Sequence, residues 1–245
     1  MNILFYPDRL DNYNRYSRVL RILENCDWVK FHNNPGKPYD LHIFWSYTRK
    51  QITPPKLTLS DKTVLNRGCW DISKQKVNDI FNDISVDPRK HQGNCVEKRE
   101  YQGGHKFHSI VECPTEPRNG YIYQKYIDDT EEGLFIRYRI FLMGGVITHV
   151  NKRYEKDRFN TSTVRVENIA PDKFFTGSET IDILEKCRIF GIDFGELDLL
   201  IDEGRKVVID VNNLVGGHHP GILARSKPYK EIDESFLEML KKYKS

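Results

Sequence analysis

The sequence predicts an α+β protein that opens with a small α/β domain. Three observations carry this: a β-α-β-β pattern over residues 1–60, amphipathic helices at Asp71–Ile84 and Ser178–Phe190, and apolar strands in hairpins between and after them.

Length and composition bound the reading. At 245 residues the chain has room for one large domain or two to three small ones with a proper core. Its 38 basic residues nearly balance its 35 acidic ones, leaving a net charge of +3, and no long basic run is present. A nucleic-acid partner is therefore not expected. Neither a secretory signal nor a membrane-spanning segment is read, so no membrane partner is expected either. The five cysteines are odd in number and widely spaced, which fits neither a zinc pattern nor a disulfide framework. A reducing cytoplasm is the expected setting.

In the opening unit, Asn2–Tyr6 reads as a strand and Tyr13–Asn25 as a helix, with apolar Tyr16, Val19, Leu20 and Leu23 at helical spacing. Trp28–Phe31 and Asp40–Trp45 read as strands around the turn Asn33-Asn34-Pro35-Gly36, and the unit ends near Pro54-Pro55. No glycine-rich loop follows the first strand, which argues against an independent Rossmann nucleotide site.

Asp71–Ile84 is the clearest amphipathic helix, with Ile72, Val77, Ile80, Phe81 and Ile84 as its apolar stripe and Asp71 as N-cap. Lys74 and Lys76 fall at its start. Cys95–Glu112 reads as a hairpin whose tip is Gln102-Gly103-Gly104-His105, with Lys98 on its first strand. Paired glycines let backbone amides approach phosphate oxygens closely, and a neighbouring lysine supplies charge. His105 and His108 lack a third partner at metal-ligand spacing.

Tyr121–Ile127 is an apolar strand followed by the acidic run Asp128-Asp129-Thr130-Glu131-Glu132. Phe135–Val150 reads as a hairpin turning at Met143-Gly144-Gly145, with Arg137 and Arg139 on one strand face. Two guanidinium groups so placed suit phosphate or another oxyanion. Ser178–Phe190 is a helix lined by Ile181, Ile183, Leu184, Cys187 and Ile189, with Gly191 as its C-cap.

The most informative stretch is Phe190–Gly217, FGIDFGELDLLIDEGRKVVIDVNNLVGG. Apolar runs Glu196–Ile201 and Lys206–Val211 flank the turn Asp202-Glu203-Gly204-Arg205, a hairpin signal. Asp210 and Asn212 project to one face, and hairpin closure brings Asp198 beside them. Three oxygen ligands of this kind suit Mg²⁺, which takes one or two carboxylates and completes its shell with phosphate and water. Turn capping is the alternative role for Asp and Asn, but carboxylates inside apolar strands are costly to bury without a partner. The glycine-rich segment from Gly216 to Gly221, with His218 and His219, reads as a loop at the mouth of a site, and Ser235–Tyr243 as a closing helix.

Gly191, Asp193, Gly195, Asp198, Asp210, Asn212 and Gly216 together resemble the metal-binding end of the ATP-grasp superfamily, most of all its carboxylate–amine ligases that append amino acids to peptides or proteins. Asp210 stands where that family usually carries Glu. The resemblance covers about Asp61 to Gly217 and implies two α+β lobes gripping ATP: a domain at 61–245, with a smaller nucleotide lobe at about 88–127 and a larger metal-binding lobe at about 128–245, after a pre-grasp domain at 1–60.

What it implies for the site follows the family's order. Lys74 and Lys98 contact phosphate, and Gly103 and Gly104 form the loop closing over it. Gln124, Lys125, Tyr126 and Ile127 take the adenine hinge, and Asp128, Asp129 and Glu131 are the candidates for the ribose carboxylate. Arg139 matches the arginine that stabilises the transferred group. Arg153 contacts phosphate or a substrate carboxylate, and Arg158 and Asn160 stand over the transferred phosphoryl group. Asp198, Asp210 and Asn212 hold Mg²⁺, with Mn²⁺ as a substitute.

The implied reaction joins a small-molecule or peptide carboxylate to an amine through an acylphosphate, with release of ADP and phosphate. A kinase acting on a small molecule shares the same nucleotide machinery and is the alternative. A nucleotide-binding module without turnover is the third reading, against which the joint retention of Lys98, Arg139, Asp198, Asp210 and Asn212 argues.

Overall fold

The computed structural model describes residues 1–7, 19, 22–23, 26–46, 64–81, 84–100, 108–159, 163–215 and 227–244. The first sheet is parallel, in the order β2-β1-β3-β4, from β1 (Asn2–Pro7), β2 (Lys30–His32), β3 (Leu41–Trp45) and β4 (Val64–Leu65). β3 is buried along its whole length, as befits a strand covered on both faces. The expected helix at Tyr13–Asn25 falls almost entirely outside the described residues.

Helix α1 (Lys74–Phe81) is shorter than the periodicity suggested. Its N-cap is Ser73, whose Oγ accepts from the backbone N–H of Lys76 at 3.2 Å. Asp71, expected in that role, instead accepts from the backbone N–H of Ser73 at 2.7 Å and shapes the turn before the helix. A Ser nearer the apolar stripe wins because the cap must lie one residue before the first helical turn.

The second sheet is small and antiparallel, in the order β6-β5-β7, from β5 (Gly93–Arg99), β6 (His108–Cys113) and β7 (Tyr121–Lys125). The expected loop residues Gly103 and Gly104, like Asn160 and the segment 216–221, lie outside the described residues.

The third sheet is the largest: β8 (Thr130–Glu131), β9 (Leu134–Met143), β10 (Ile147–Glu155), β11 (Thr163–Ile169), β12 (Phe194–Asp202) and β13 (Arg205–Asn212). Its order is β11-β10-β9-β12-β13, all antiparallel, with β8 also pairing to β9. Two hairpins turn on a Glu-Gly pair with both residues at positive φ, Glu132-Gly133 (52° and 75°) and Glu203-Gly204 (51° and 84°). This is the two-residue turn whose twist matches the flanking strands.

One face of this sheet packs under α2 (Pro171–Phe174) and α3 (Gly177–Phe190), burying Ile140, Leu142, Val150, Leu197, Leu199 and Val208 with Ile183, Cys187 and Phe190. α3 begins in a capping box, Thr176 with Glu179, and ends at Gly191 in the left-handed region. Ile181 and Ile189, expected on its apolar face, are 72 % and 59 % exposed; the burying stripe runs through Ile183, Cys187 and Phe190 instead. A side chain added at Gly191 would stand 2.3 Å from the Gly68 backbone, so glycine is required there by both conformation and contact. α4 (Lys227–Lys241), longer than the expected Ser235–Tyr243, places Tyr229, Ile232 and Phe236 in a core shared with Phe141, Phe194 and the first sheet. Among the described residues no helix is long and apolar enough to cross a membrane.

Candidate active site

A set of charged and amide residues of the largest sheet gathers on the face opposite α3, and register explains how. Asp198 on β12 lies directly opposite Arg139 on β9 and Asp210 on β13; Arg139 in turn lies opposite Asn151 on β10. Glu196 lies opposite Asn212, and Arg137 opposite Arg153. Directly opposed residues share a face, so these strands carry Arg137, Arg139, Asn151, Arg153, Glu196, Asp198, Asp210 and Asn212 together.

A β-bulge interrupts β13. Asp198 pairs with Asp210 but Leu199 pairs with Val208, leaving Ile209 as the extra residue. At a bulge successive side chains escape strict alternation. Ile209 and Asp210 accordingly both line one cavity, and the Ile209 carbonyl accepts from Lys98 Nζ at 3.3 Å. At the hairpin's other end Gly195 lies so close to β13 that an added Cβ would meet the Asn212 carbonyl oxygen at 2.2 Å.

That cavity lies between the small sheet and the charged face. Ile84, Val96, Ile127, Leu200 and Ile209 give it apolar walls, while Lys98, Asp198 and Asp210 converge on it as charged groups. Gln124, Lys125, Asp129, Arg137 and Arg158 add further polar groups, so the cavity joins an apolar wall to a strongly charged one, as a site for a charged small molecule requires. Lys98 is 6 % exposed, and burial brings its ammonium down to about 7, with Asp210 pulling it up and Lys74 pushing it down.

Arg139 is held at two edges. Its Nε and Nη2 donate to the two oxygens of Asp198 at 2.8 and 3.1 Å, and Nη1 lies 2.9 Å from Glu196 Oε2. Burial by itself would raise the Asp198 carboxyl, but the guanidiniums of Arg139, Arg137 and Arg153 hold it well below the usual carboxylate range. Burial likewise works against the Arg139 charge, and Asp198 and Glu196 more than offset it. Arg153 is buried, 3.2 Å from Glu155 and donating to Thr163 Oγ1 at 2.6 Å.

The hinge segment leaving β7 is fixed by Arg158. Its Nη1 donates to the Ile127 carbonyl at 3.0 Å, Nη2 donates to the Tyr126 hydroxyl at 2.9 Å and pairs with Asp129 at 2.6 Å, and its plane lies over the Tyr126 and Phe135 rings. Arg158, expected over the transferred phosphoryl group, is thus engaged by hinge residues, because aromatic faces and a buried carboxylate offer it both stacking and charge.

The other expected residues fall as follows. Gln124 is buried and donates to Asn78 at 2.8 Å, tying the hinge strand to α1. Lys125 lines the cavity and pairs with Asp202 at 2.8 Å. Lys74 is buried within electrostatic reach of Lys98. Asp129 lines the cavity, whereas Glu131 is absent from its walls and pairs with Lys152 at 2.6 Å, and Asp128 is exposed. His108 lines the cavity edge-on to Phe159, with no metal cluster formed around it among the described residues.

Sequence reasoning missed Glu196, although its place two residues before Asp198 in a strand was a legible sign of a shared face. It also missed the apolar walls at Ile84, Val96, Leu200 and Ile209. For Ile209 there was no signal, since a bulge leaves no mark in composition.

The donor set Asp198, Asp210 and Asn212 fits Mg²⁺. Two carboxylates face each other across one rung, and Asn212, two residues from Asp210, offers an amide oxygen. Among the described residues no group of three His, Cys, Asp or Glu is placed to hold a metal ion.

Neither a protein-family model nor a curated protein matches the sequence. Solved structures do match. The ATP-grasp ligase PsnB complexed with a minimal precursor is similar at a TM-score of 0.61 and 10 % identity, over 98 % of this chain and 98 % of that one. D-alanine–D-alanine ligase from Bacillus anthracis complexed with ATP is similar at 0.60 and 14 % identity, over 99 % and 97 %. The macrocyclase MdnC bound with precursor peptide MdnA from Microcystis aeruginosa is similar at 0.54 and 12 % identity, over 99 % and 100 %. Matches of this coverage settle the architecture: the chain has the ATP-grasp fold.

Proposed function

We propose that the chain is an ATP-dependent ligase that joins a carboxylate to an amine through an acylphosphate, releasing ADP and phosphate. The observation that carries this is the cavity in which Lys98 on the small sheet faces the Asp198–Asp210 pair on the large one, with apolar walls between them. Apolar walls suit adenine, and the charged end suits a triphosphate. The similar structures support the reading: PsnB was solved with Mg and ADP, and both PsnB and MdnC with precursor peptides. A peptide carboxylate is accordingly the favoured substrate class.

Each residue has a physical part. Lys98, buried and poised near neutrality, takes phosphate charge as its ammonium form. The hinge from Gln124 to Ile127, braced by Arg158, presents backbone groups to the adenine edge, and Asp129 presents its carboxylate to the ribose. Asp198, Asp210 and Asn212 would hold Mg²⁺, which when bound would supply charge neutralisation to the phosphates. Arg139 stabilises the phosphoryl group in transfer, Arg153 reinforces the positive field behind it, and Lys74 does so from α1. Positioning and charge neutralisation, rather than covalent chemistry by the protein, would drive the reaction.

The test is incubation with MgATP, a pool of carboxylic acids and peptides, and hydroxylamine, followed by mass spectrometry. Hydroxylamine converts an acylphosphate to a hydroxamate. A hydroxamate that requires ATP and disappears in Asp210→Ala is the expected result. ADP with a stable phosphorylated product and no hydroxamate would move the protein to the kinases.

A further inference from the structure

Glu196 shares the face of the cation ligands but has no part in the chemistry above. It stands opposite Asn212 and two residues before Asp198, and its side chain is 2 % exposed. It lies 2.9 Å from Nη1 of Arg139. The opposite edge of that guanidinium, Nε and Nη2, is taken up by both oxygens of Asp198. Arg139 therefore sits between two carboxylates, of which only Asp198 is paired across the rung with Asp210.

This arrangement sets up a competition. A guanidinium and a divalent cation both seek the oxygens of Asp198, and each repels the other once both are close. For a cation to be held between Asp198 and Asp210, Arg139 must loosen its grip on Asp198. A guanidinium released with no other anchor would have no reason to remain in the site. Glu196 supplies that anchor, because its short pair with Nη1 is buried on the same charged face and a buried ion pair is costly to break.

We propose that Glu196 is the positioning residue of Arg139. As Asp198 turns to the cation accompanying the nucleotide, Glu196 retains the guanidinium through Nη1 and frees Nε and Nη2 to donate to phosphoryl oxygens. The bidentate fork of arginine suits such an exchange, since one edge can change partner while the other keeps its own. The inference rests on the ligase reading, from which it takes the cation and the phosphoryl group.

The test is a double-mutant cycle read by binding, not turnover. Electron paramagnetic resonance of free Mn²⁺ follows its uptake in the presence of a non-hydrolysable ATP analogue. Glu196→Gln keeps the shape and removes the charge, leaving Arg139 wholly on Asp198, so half-saturation by Mn²⁺ should rise about tenfold, in the range typical of coupled charged neighbours. In an Arg139→Gln background, where no guanidinium blocks Asp198, the same change should have an effect below about twofold. An equal effect in both backgrounds would overturn the inference, since Glu196 would then act on the cation directly. Should Glu196→Gln not fold, Glu196→Asp, with the charge one methylene further from Arg139, carries the same cycle. Failure of the parent protein to take up Mn²⁺ with the analogue would bring down the ligase reading and this inference together, whereas an additive cycle on a parent that binds would remove the inference alone.

Discussion

The two faces of the largest sheet are built by the same strands and obey opposite rules. Ile140 and Leu142, Leu197 and Leu199 point under α3 into an apolar core, while Arg137 and Arg139, Glu196 and Asp198 point the other way. On the first face each side chain is stabilised by being removed from water and closely packed. On the second, burial disfavours every charge, and opposite charges on neighbouring strands, as where Arg139 meets Asp198 and Glu196, offset that cost. The apolar face can therefore hold the charged one in position without depending on it. A site mounted on strands already fixed from behind is more exact than one carried on loops.

The sharpest way to break this division is to remove charge without volume. Asp210→Asn should lower nucleotide-dependent turnover by about a thousandfold or more while barely moving the unfolding temperature. ADP release beside a thermal melt checks it, and a large loss of stability would show that the charged face is structural after all. The complementary change is Leu197→Ala, at a side chain 1 % exposed under α3. It should cost about 3 kcal/mol of stability, a fall of roughly 6–12 °C in Tm for a chain of this size, with nucleotide affinity of the folded fraction unchanged.

A third prediction concerns pH. Lys98 in the nucleotide-free protein titrates at about 7, so above that pH it is mostly neutral. A triphosphate favours the ammonium form and raises this value, so binding at pH 8 should take up a proton and weaken as pH rises further. Calorimetry in buffers of differing ionisation enthalpy measures that uptake; the absence of any uptake would separate Lys98 from the phosphates. The folded protein also binds fewer protons here than the unfolded chain between about 7 and 10.5, so this lysine makes stability rise with pH across that window. Smallest of all should be Ile181→Lys, on the exposed side of α3, which is expected to shift stability by no more than about 0.5 kcal/mol in chemical denaturation.

Much of this was legible from sequence because strands repeat every two residues and turns have strong signatures. The Glu203-Gly204 hairpin, the Gly191 cap and the shared face of Asp210 and Asn212 all followed from such local rules. What local rules could not supply was partnership across the chain. Arg158 lines the cavity, but no local rule announces that Tyr126, Phe135 and Asp129 surround it. Ile181 and Ile189 read as core because their spacing fits a helix, but α3 needs to cover only one side of the sheet and leaves them in water. The Ser73 cap was overlooked for a similar reason, since Asp71 and Ser73 are both good caps and only the first hydrogen-bonded turn distinguishes them.

The extra residue in β13 has a consequence for how the hairpin tolerates change in length. Elsewhere in a strand, deleting one residue inverts every side chain beyond it and would turn carboxylates into the core. Deleting Ile209 would leave Asp210 beside Asp198 and Val208 beside Leu199, with the turn undisturbed, because both pairings already skip that position. The chain would keep its faces and lose only a carbonyl for Lys98 and part of the apolar wall. The reverse also holds: a plain two-stranded hairpin could have become this one by a single inserted codon, gaining a lysine anchor without rewriting the strand on either side.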